Sequence, residues 1–269
     1  MNQKLIALDL DGTTLNQAGA LSPQTIATLK AAQAAGHLVV ITTGRPDAIS
    51  ENFYDELALN GPMINFNGAL IHKPHQHWAH EHQVALTTQT ALALKALKQQ
   101  FDIELMVAEG KQLLLADHGY VDMPFLPDLP APQHLFDVNG LQQAPISVTM
   151  FIREHTLAAL QRAVHQHFPK LTPKTWGAWS GEHTALEVTA GHTSKSQAVA
   201  YVAKLYGIAQ PDVIAFGDDL NDLDLIAYAG VGVAMKNARP EILQVADAVT
   251  AYDNEGAGMA DYLADYLAL

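Results

Sequence analysis

Residues 6–15 read Ile-Ala-Leu-Asp-Leu-Asp-Gly-Thr-Thr-Leu. An apolar run stops at two aspartates, Asp9 and Asp11, and Gly12 then turns the chain. In an open parallel sheet, ligands bind beyond the carboxyl ends of the strands, and side chains two apart on a strand point to the same face. The stretch therefore predicts a strand that presents two carboxylates to one ligand, although Asp and Gly also simply end strands and make turns.

The composition is that of a folded protein of one large or two ordinary domains. The chain has 269 residues, of which 49% are hydrophobic and 16% charged, unlike the apolar-poor, highly charged sequences that stay disordered. It contains no cysteine, which excludes disulfides, thiolate metal sites and cysteine nucleophiles.

The charge balance limits the possible partners. With 15 Lys+Arg against 28 Asp+Glu, the formal charge is −13, which repels nucleic acid and also a free phosphate ester. An acidic protein that handles phosphates needs a local cation, either a metal or a buried basic side chain. The first apolar run is too short for a secretory signal or a membrane span, so we expect a cytoplasmic protein with no membrane or nucleic-acid partner.

The order of predicted elements indicates two domains. Strands and helices alternate in the first third, as in a doubly wound parallel sheet; the pattern changes near Ala69 and resumes after Gly191. We therefore expect an α/β core of residues 1–82 and 191–269, interrupted by a smaller α+β domain of residues 83–190 with an antiparallel sheet. Helices are predicted over residues 23–35, 46–59, 87–100, 155–168, 193–206 and 220–229, and an irregular proline-rich segment over 123–143.

Polar residues follow several strands of the predicted core, and a lysine begins one of its helices. Thr43, Asn67 and the acidic run from Asp218 each follow an apolar strand. A lysine near a helix N-terminus is unfavourable for the helix dipole, so the position of Lys195 suggests that it binds an anion. The free N–H groups at the start of the same helix also suit an anion such as phosphate. Taken alone, Lys195 would more often be a solvated surface lysine.

Together these motifs resemble a known family. The order of Asp9-Leu-Asp-Gly-Thr-Thr, Thr43-Gly44-Arg45-Pro46, Lys195 and Gly217-Asp218-Asp219-Leu220-Asn221-Asp222 resembles the four motifs of the haloacid dehalogenase (HAD) superfamily of phosphatases and phosphotransferases. The insertion between the second and third motifs, Asn67-Gly68-Ala69 and the segment Gly232–Ala238 are similar to the Cof-type branch. The resemblance implies a Rossmann-like core with an inserted cap domain that supplies specificity.

The resemblance also implies roles for the motif residues. Asp9 would attack phosphorus, and Asp11 would be the general acid and base. Mg²⁺ would be held by Asp9, the backbone carbonyl of Asp11 and Asp218. Asp222, one helical turn after Asp218, would complete the metal site, either as a brace behind these ligands or through a water molecule. The residues expected to bind phosphate or substrate are Thr43, Gly44, Asn67, Lys195 and Asn221.

The chain departs from the family pattern at three positions. Asp219 stands where asparagine or serine is common. An extra carboxylate there could shift metal affinity or cap the following helix, and we expect the cap. Ser196 replaces a glycine, and Leu225 replaces a methionine. None of these changes removes a catalytic group, so we expect an active enzyme.

Two other groups of residues and one glutamate invite functional interpretations. Histidines 72, 75, 77, 80 and 82, four of them at strand spacing, could bind zinc, but a polar hairpin explains them better. Trp176 and Trp179 could stack on a sugar, although packing within the cap is the simpler interpretation. Glu187, near the end of a cap strand, could face the substrate.

The sequence therefore predicts a magnesium-dependent phosphomonoester hydrolase that forms an aspartyl-phosphate and acts on small phosphorylated metabolites such as sugar phosphates. One alternative is a phosphotransferase or mutase of the same superfamily. Another is a non-catalytic phosphate-sensing regulator on the same scaffold, but a pure binder would not need Asp11. We expect a monomer or a small homo-oligomer.

Overall fold

The structure, a computed structural model, describes residues 2–119, 131–180, 183–191 and 193–269, with the side chains of 176–180 left aside. The chain divides into two compact units. Unit 1 comprises Met1–Arg45, Ser50–His82 and Thr193–Leu269, and unit 2 comprises Pro46–Ile49 and Gln83–His192. The predicted domains, with boundaries after residues 82 and 190, stay a prediction.

The described elements alternate in unit 1 and follow a different order in unit 2. The strands are β1 (Leu5–Leu8), β2 (Leu38–Ile41), β3 (Met63–Asn65), β4 (Leu70–His72), β5 (His82–Gln83), β6 (Ile103–Gly110), β7 (Leu113–Ala116), β8 (His134–Leu135), β9 (Ser147–Arg153), β10 (Leu171–Ser180), β11 (His183–Ala190), β12 (Val213–Gly217), β13 (Val231–Ala234) and β14 (Ala248–Val249). The helices are α1 (Pro23–Ala34), α2 (Glu51–Glu56), α3 (Thr88–Lys95), α4 (Glu154–His167), α5 (Lys195–Leu205), α6 (Leu223–Tyr228), α7 (Pro240–Val245) and α8 (Gly258–Leu267).

Unit 1 is built on a parallel five-stranded sheet in the order β14-β13-β12-β1-β2. Every residue of β1 is buried, with Leu5 opposite Val213 of β12 on one side and Leu38 of β2 on the other. Such uninterrupted apolar strands are typical of sheets covered on both faces. Because β1 and β12 are parallel neighbours, the chain segments that follow them lie side by side at one edge of the sheet.

Helices cover both faces of this sheet. On one face Ile6 and Leu8 pack with Leu29 of α1 and Leu263 of α8. On the other face, the alternate residues of the same strands pack with α5 and α6 through residues such as Val199 and Leu225. The predicted doubly wound α/β core is confirmed.

Unit 2 contains a six-stranded sheet in the order β10-β11-β9-β6-β7-β8, in which only the β7–β8 pair is parallel. One face packs against α3 and α4, with Met106, Val148 and Leu186 meeting Leu94 and Leu160. The predicted α+β organisation of this unit, with its largely antiparallel sheet, is confirmed.

Several predicted helices are wrong in extent. The helix predicted over 46–59 begins only at Glu51, because residues Asp47–Ile49 form a separate tight turn, and it ends before Ala58 adopts a left-handed conformation at φ 51°. The helix predicted over 87–100 stops at Lys95 and tightens into a 3₁₀ turn. The helix predicted from residue 220 starts at Leu223, after a capped turn. Residues 123–130 of the predicted irregular segment lie outside the described residues.

In the part of the chain that the structure describes, no helix has the length and apolar character required to cross a membrane.

Candidate active site

Three aspartates form a cluster where β1 and β12 end. Carboxylate oxygens of Asp9, Asp218 and Asp222 lie within 4.8 Å of one another. Asp9 follows β1 directly, and its N–H donates to the carbonyl of Phe216 on β12 at 3.2 Å. Parallel strand pairing therefore brings together acidic residues that lie more than 200 positions apart.

Lys195 joins two of these carboxylates. Its Nζ donates to Oδ1 of Asp9 and to Oδ1 of Asp222, each at 2.6 Å, and its side chain is 0% exposed. Lys195 is the first residue of α5, which Ser194 caps by accepting from the N–H of Gln197 at 3.3 Å. The interpretation of Lys195 as a solvated surface lysine is therefore wrong.

A close backbone approach lets α5 begin there. Gly68, in the turn after β3, has a φ of +100°, and a Cβ at this position would lie 2.3 Å from the carbonyl oxygen of Ser194. Only glycine permits both the conformation and the approach.

Burial and like charge dominate the electrostatics of the cluster. Burial alone would lower the pKa of Lys195, but the carboxylates of Asp222 and Asp9 raise it above its ordinary value. Burial, with the charge of Asp222, raises the pKa of Asp9 well above its usual range. Burial likewise raises the pKa of Asp218 to about 7, against a hydrogen bond from Thr13. Two buried carboxylates and the partly buried one of Asp218 share a single lysine, which leaves an excess of negative charge. Oxygen donors of this kind suit a hard divalent cation.

Asp218 is fixed by the loop that follows β1. Oδ1 of Asp218 accepts from the hydroxyl of Thr13 at 2.9 Å. Gly12 has a φ of +70°, and a Cβ there would lie 2.2 Å from Oδ2 of Asp218. The glycine thus provides both the turn and the space for the carboxylate.

Asp222 acts mainly as a brace. One of its oxygens accepts from Lys195, and the other accepts from the N–H groups of Asp218 and Asp219 at 3.1 and 3.3 Å. Both oxygens of Asp222 are thus engaged by the protein, and its part in holding a metal stays a prediction. The predicted cap is confirmed: Asp219 accepts from the N–H of Leu220 at 2.7 Å.

Asp11 lies apart from the cluster and is held by an arginine. Its side chain is 60% exposed and accepts from Nη2 and Nε of Arg45 at 2.6 and 2.8 Å. The guanidinium also lies 5.7 Å from the ring centroid of Phe53. The sequence contains Arg45 within the quoted Thr-Gly-Arg-Pro motif, but nothing in the pattern indicated its pairing with Asp11.

The predicted phosphate-binding residues other than Lys195 form a second group in unit 1. The amide Nδ2 of Asn221 donates to Oδ1 of Asn67 at 3.1 Å, and a Cβ at Gly44 would lie 3.2 Å from the Asn67 amide. Asn67 is 4% exposed and holds a left-handed φ of 53°. The hydroxyl of buried Thr43 accepts from the N–H of Arg45 at 3.0 Å, which directs its own proton toward another acceptor.

Sequence reasoning missed the residues that hold the loop after β1. Nδ2 of Asn237 donates to the carbonyl of Gly12 at 2.8 Å, and Nδ2 of Asn254 donates to the carbonyl of Leu15 at 2.8 Å. Asn237 belongs to the segment that resembles the Cof-type branch, but the resemblance assigned no role to this residue. No sequence pattern singled out Asn254.

The histidine segment does not form a metal cluster among the described residues, in which the three aspartates are the one such group. The strand spacing predicted for these histidines is wrong, because residues 73–81 form loops and turns between β4 and β5. His72 is buried and bonds Oδ1 of Asn65 at 3.0 Å, whereas His75 pairs with Asp55 at 2.9 Å. The polar-hairpin interpretation fits this geometry.

Of the three residues of the inserted domain singled out in the sequence, Glu187 has a described side chain. Glu187 lies on β11 of unit 2 and is 1% exposed. The side chains of Trp176 and Trp179 lie outside the described residues.

Comparisons with known proteins cover almost the whole chain. A family model described as haloacid dehalogenase-like hydrolase matches residues 6–263. The chain is 30% identical to 5-amino-6-(5-phospho-D-ribitylamino)uracil phosphatase YitU of Bacillus subtilis (strain 168), covering 98% of both chains. It is 29% identical to pyridoxal phosphate phosphatase YbhA of Escherichia coli (strain K12), covering 99% of this chain and 100% of that one.

The fold is also that of a solved structure. A haloacid dehalogenase-like hydrolase from Bacteroides thetaiotaomicron superposes with a TM-score of 0.85 at 22% identity, covering 98% of this chain and 100% of that one. At this identity the match shows the fold alone. The matched residues include both units.

Proposed function

Because the chain belongs to the haloacid dehalogenase-like hydrolase family and is a phosphatase of its Cof-type branch, we propose that it is a magnesium-dependent phosphomonoester hydrolase working through an aspartyl-phosphate on Asp9. The observation that carries this proposal is the buried contact of Lys195 with Asp9 and Asp222, beside Asp218. A purely structural lysine would not need a third carboxylate beside the two that it contacts.

Asp9 is the nucleophile in this proposal. An oxygen of its carboxylate bonds to phosphorus while the bond from phosphorus to the ester oxygen breaks. Lys195, held at 2.6 Å, favours the ionised carboxylate and neutralises charge where the phosphoryl oxygens gather. Water then attacks phosphorus, the bond to the Asp9 oxygen breaks, and inorganic phosphate leaves.

Asp11 moves the proton in both steps. In its protonated form it gives its proton to the departing ester oxygen, and the carboxylate that results later takes a proton from the attacking water. Its exposed carboxylate is accessible to both, and the two hydrogen bonds from Arg45 set its position. Asp11 gives up one of these hydrogen bonds to reach the leaving oxygen.

The remaining predicted residues position the phosphoryl group. The hydroxyl of Thr43 has a proton to donate, and the amides of Asn67 and Asn221 are fixed against each other beside Gly44. Because phosphoryl transfer depends mainly on positioning and charge neutralisation, rigid donors of this kind are the contribution expected from the chain.

Asp9 and Asp218 are the side chains that would hold Mg²⁺, with the backbone carbonyl of Asp11 as a third protein ligand and Asp222 as their brace. The excess of negative charge among these oxygens supports the assignment. When bound, Mg²⁺ supplies charge neutralisation for the phosphoryl oxygens.

The substrate is proposed to be a small phosphorylated metabolite. The two relatives are named for small phosphate esters, a phosphorylated ribitylaminouracil and pyridoxal phosphate. The substrates to test are therefore these two compounds and a set of sugar phosphates. The cytoplasmic location and the monomeric or small oligomeric state stay predictions.

The test is phosphate release from p-nitrophenyl phosphate and from that panel, with Mg²⁺ and after its removal by a chelator. We expect Mg²⁺-dependent turnover that Asp9→Asn abolishes. Asp265→Asn, an exposed aspartate on α8, serves as the matched control. Isomerised product without free phosphate would instead identify a mutase, and no turnover by the folded wild type on any ester would favour a regulator.

A further inference from the structure

Two asparagines hold the loop after β1 from outside that loop. Nδ2 of Asn237 donates to the carbonyl of Gly12 at 2.8 Å, in the middle of the loop, and Nδ2 of Asn254 donates to the carbonyl of Leu15 at 2.8 Å, at its end. The two asparagines are also joined, because the N–H of Asn254 donates to Oδ1 of Asn237 at 3.2 Å. We call this pair the asparagine clamp, and all of its contacts lie within unit 1.

The clamp bonds to backbone groups even though it lies near the surface. Asn237 is exposed and Asn254 is half-buried, so water is available to both side chains. Asn237 nevertheless uses a donor and the acceptor of its amide on two backbone groups from different segments of the chain. Apolar packing does not require this arrangement at an exposed position, so the effect of the clamp falls on the loop that it holds.

Gly12 explains why the loop needs such a restraint. Its φ is +70°, and a Cβ there would lie 2.2 Å from Oδ2 of Asp218, so the position requires glycine, which is also the residue with the greatest backbone freedom. The carbonyl of Asp11 and the N–H of Gly12 belong to one peptide plane, and a rotation about the N–Cα bond of Gly12 turns that plane relative to the rest of the loop. The glycine that makes room for Asp218 therefore leaves the Asp11 carbonyl loose unless another group holds Gly12.

The segment that carries Asn237 also contacts the loop after β12. The N–H of Met235 donates to the carbonyl of Gly217 at 3.1 Å, and the N–H of Arg239 donates to the carbonyl of Asp218 at 2.9 Å. One segment thus contacts the backbone of both loops that carry the proposed Mg²⁺ ligands. A restraint on this segment fixes the two loops together.

We propose that the asparagine clamp positions the backbone carbonyl of Asp11 for Mg²⁺, by holding Gly12 in the conformation in which this carbonyl and Asp218 serve the same ion. Asn237 and Asn254 are positioning residues, since neither is itself a ligand. The inference rests on the proposed function, which assigns Mg²⁺ to these oxygens. Without the clamp, Mg²⁺ binding must also order the loop, and the lost conformational entropy weakens it.

Asn237→Ala tests the proposal, and the readout is Mg²⁺ binding measured by titration calorimetry without substrate. We expect the Kd for Mg²⁺ to rise about tenfold, the lower end of the effect typical of groups that orient metal ligands. Asn254→Ala should weaken binding less, because it keeps the N–H that donates to Asn237.

Asn16→Ala is the matched control. Oδ1 of Asn16 accepts from the N–H of Ala20 at 3.0 Å, in the turn that follows the same loop, so this variant also removes one hydrogen bond between a side-chain amide and the backbone. Its melting temperature without metal should fall about as much as that of Asn237→Ala, while its Mg²⁺ affinity should equal that of the wild type. Unchanged Mg²⁺ affinity in Asn237→Ala, or an equal loss in both variants, would overturn the proposal.

The same titration separates this inference from the proposed hydrolysis. If the wild type releases no phosphate from any ester but Asn237→Ala weakens Mg²⁺ binding, the hydrolase proposal fails and the clamp stands. If turnover depends on Asp9 but Asn237→Ala binds Mg²⁺ as tightly as the wild type, the clamp fails alone. A wild type that binds no Mg²⁺ overturns the clamp, whatever its activity.

Discussion

Lys195 is the side chain on which the acidic cluster depends most directly. Removing its charge leaves Asp9 and Asp222 buried without their cation, and breaking a buried ion pair from one side costs about 3–5 kcal/mol. We therefore expect Lys195→Met to lower the free energy of unfolding by that amount and to reduce kcat by at least about 100-fold.

Chemical denaturation and phosphate release measure the two effects. Lys204→Met, at an exposed position of the same helix, controls for the loss of one positive charge and should change neither value appreciably. Full stability and activity in Lys195→Met would contradict the role given to this lysine.

Glu109 should make stability depend on pH. Burial, with the charges of Glu187 and Asp47, raises its pKa to about 8 in the folded protein, whereas the pKa is near 4.3 in an unfolded chain, so the folded state binds more protons between these values. Its contribution to the free energy of unfolding is complete below about pH 4 and declines by about 1.4 kcal/mol per pH unit until about pH 8.

Glu109→Gln, which cannot ionise, should flatten the dependence between pH 5 and 8. Denaturation midpoints measured across that range are the test, with exposed Glu56→Gln as the control. An unchanged slope in Glu109→Gln would mean that Glu109 ionises normally in the fold.

The residues that sequence could and could not predict differ in a physical way. Asp9, Asp218 and Lys195 belong to motifs whose order is visible in the chain, and the structure brings them together. Arg45 and Asn254 contact the loop after β1 only through tertiary packing. No local spacing encodes such contacts, so they emerged only from the structure.

The loop that follows β1 is the element that sets the geometry of the site. Gly12→Ala forces a side chain into a φ of +70° and places Cβ 2.2 Å from Oδ2 of Asp218. Strain of this kind costs about 1–3 kcal/mol, and the displaced carboxylate should reduce activity and weaken Mg²⁺ binding.

Gly19 provides a matched control, because its φ is +69° and a Cβ there would meet nothing within 4 Å. Gly19→Ala should lose a comparable amount of stability and keep full phosphatase activity. If both variants lose activity equally in steady-state assays, the contact with Asp218 is not what requires Gly12.

Element types were predicted better than element ends. The apolar runs of β1 and β12 are local signals that tertiary contacts support. The N-cap at Ser22, whose hydroxyl accepts from the N–H of Thr25 at 3.0 Å, is another local signal. The helix predicted over residues 46–59 failed because no local signal marks the separate turn at Asp47–Ile49. Asp47 there accepts from the N–H of Gln112 at 3.1 Å, a contact 65 residues away.

At the scale of the whole molecule, we propose that unit 2 is an independent domain. Residues 83–192, the larger of the two segments of unit 2, contain all six strands of its described sheet and the apolar core on α3 and α4. Expressed alone, this segment should give a cooperative thermal transition by circular dichroism. Residues 1–82 alone should not, because β12, the neighbour of β1, lies outside them. A molten or unfolded 83–192 segment would argue that the insertion depends on the core.

The pairing of β1 with β12 has a consequence for biosynthesis. Thr13 and its partner Asp218 are separated by 205 positions, which a ribosome adding about 5–20 residues per second covers in roughly 10–40 s. Throughout that interval the nascent chain displays an apolar strand with one edge unfilled, while the insertion emerges and has time to fold. Chaperones that recognise such strands should therefore engage the newborn chain at its first residues, and release it only when the last third has been translated.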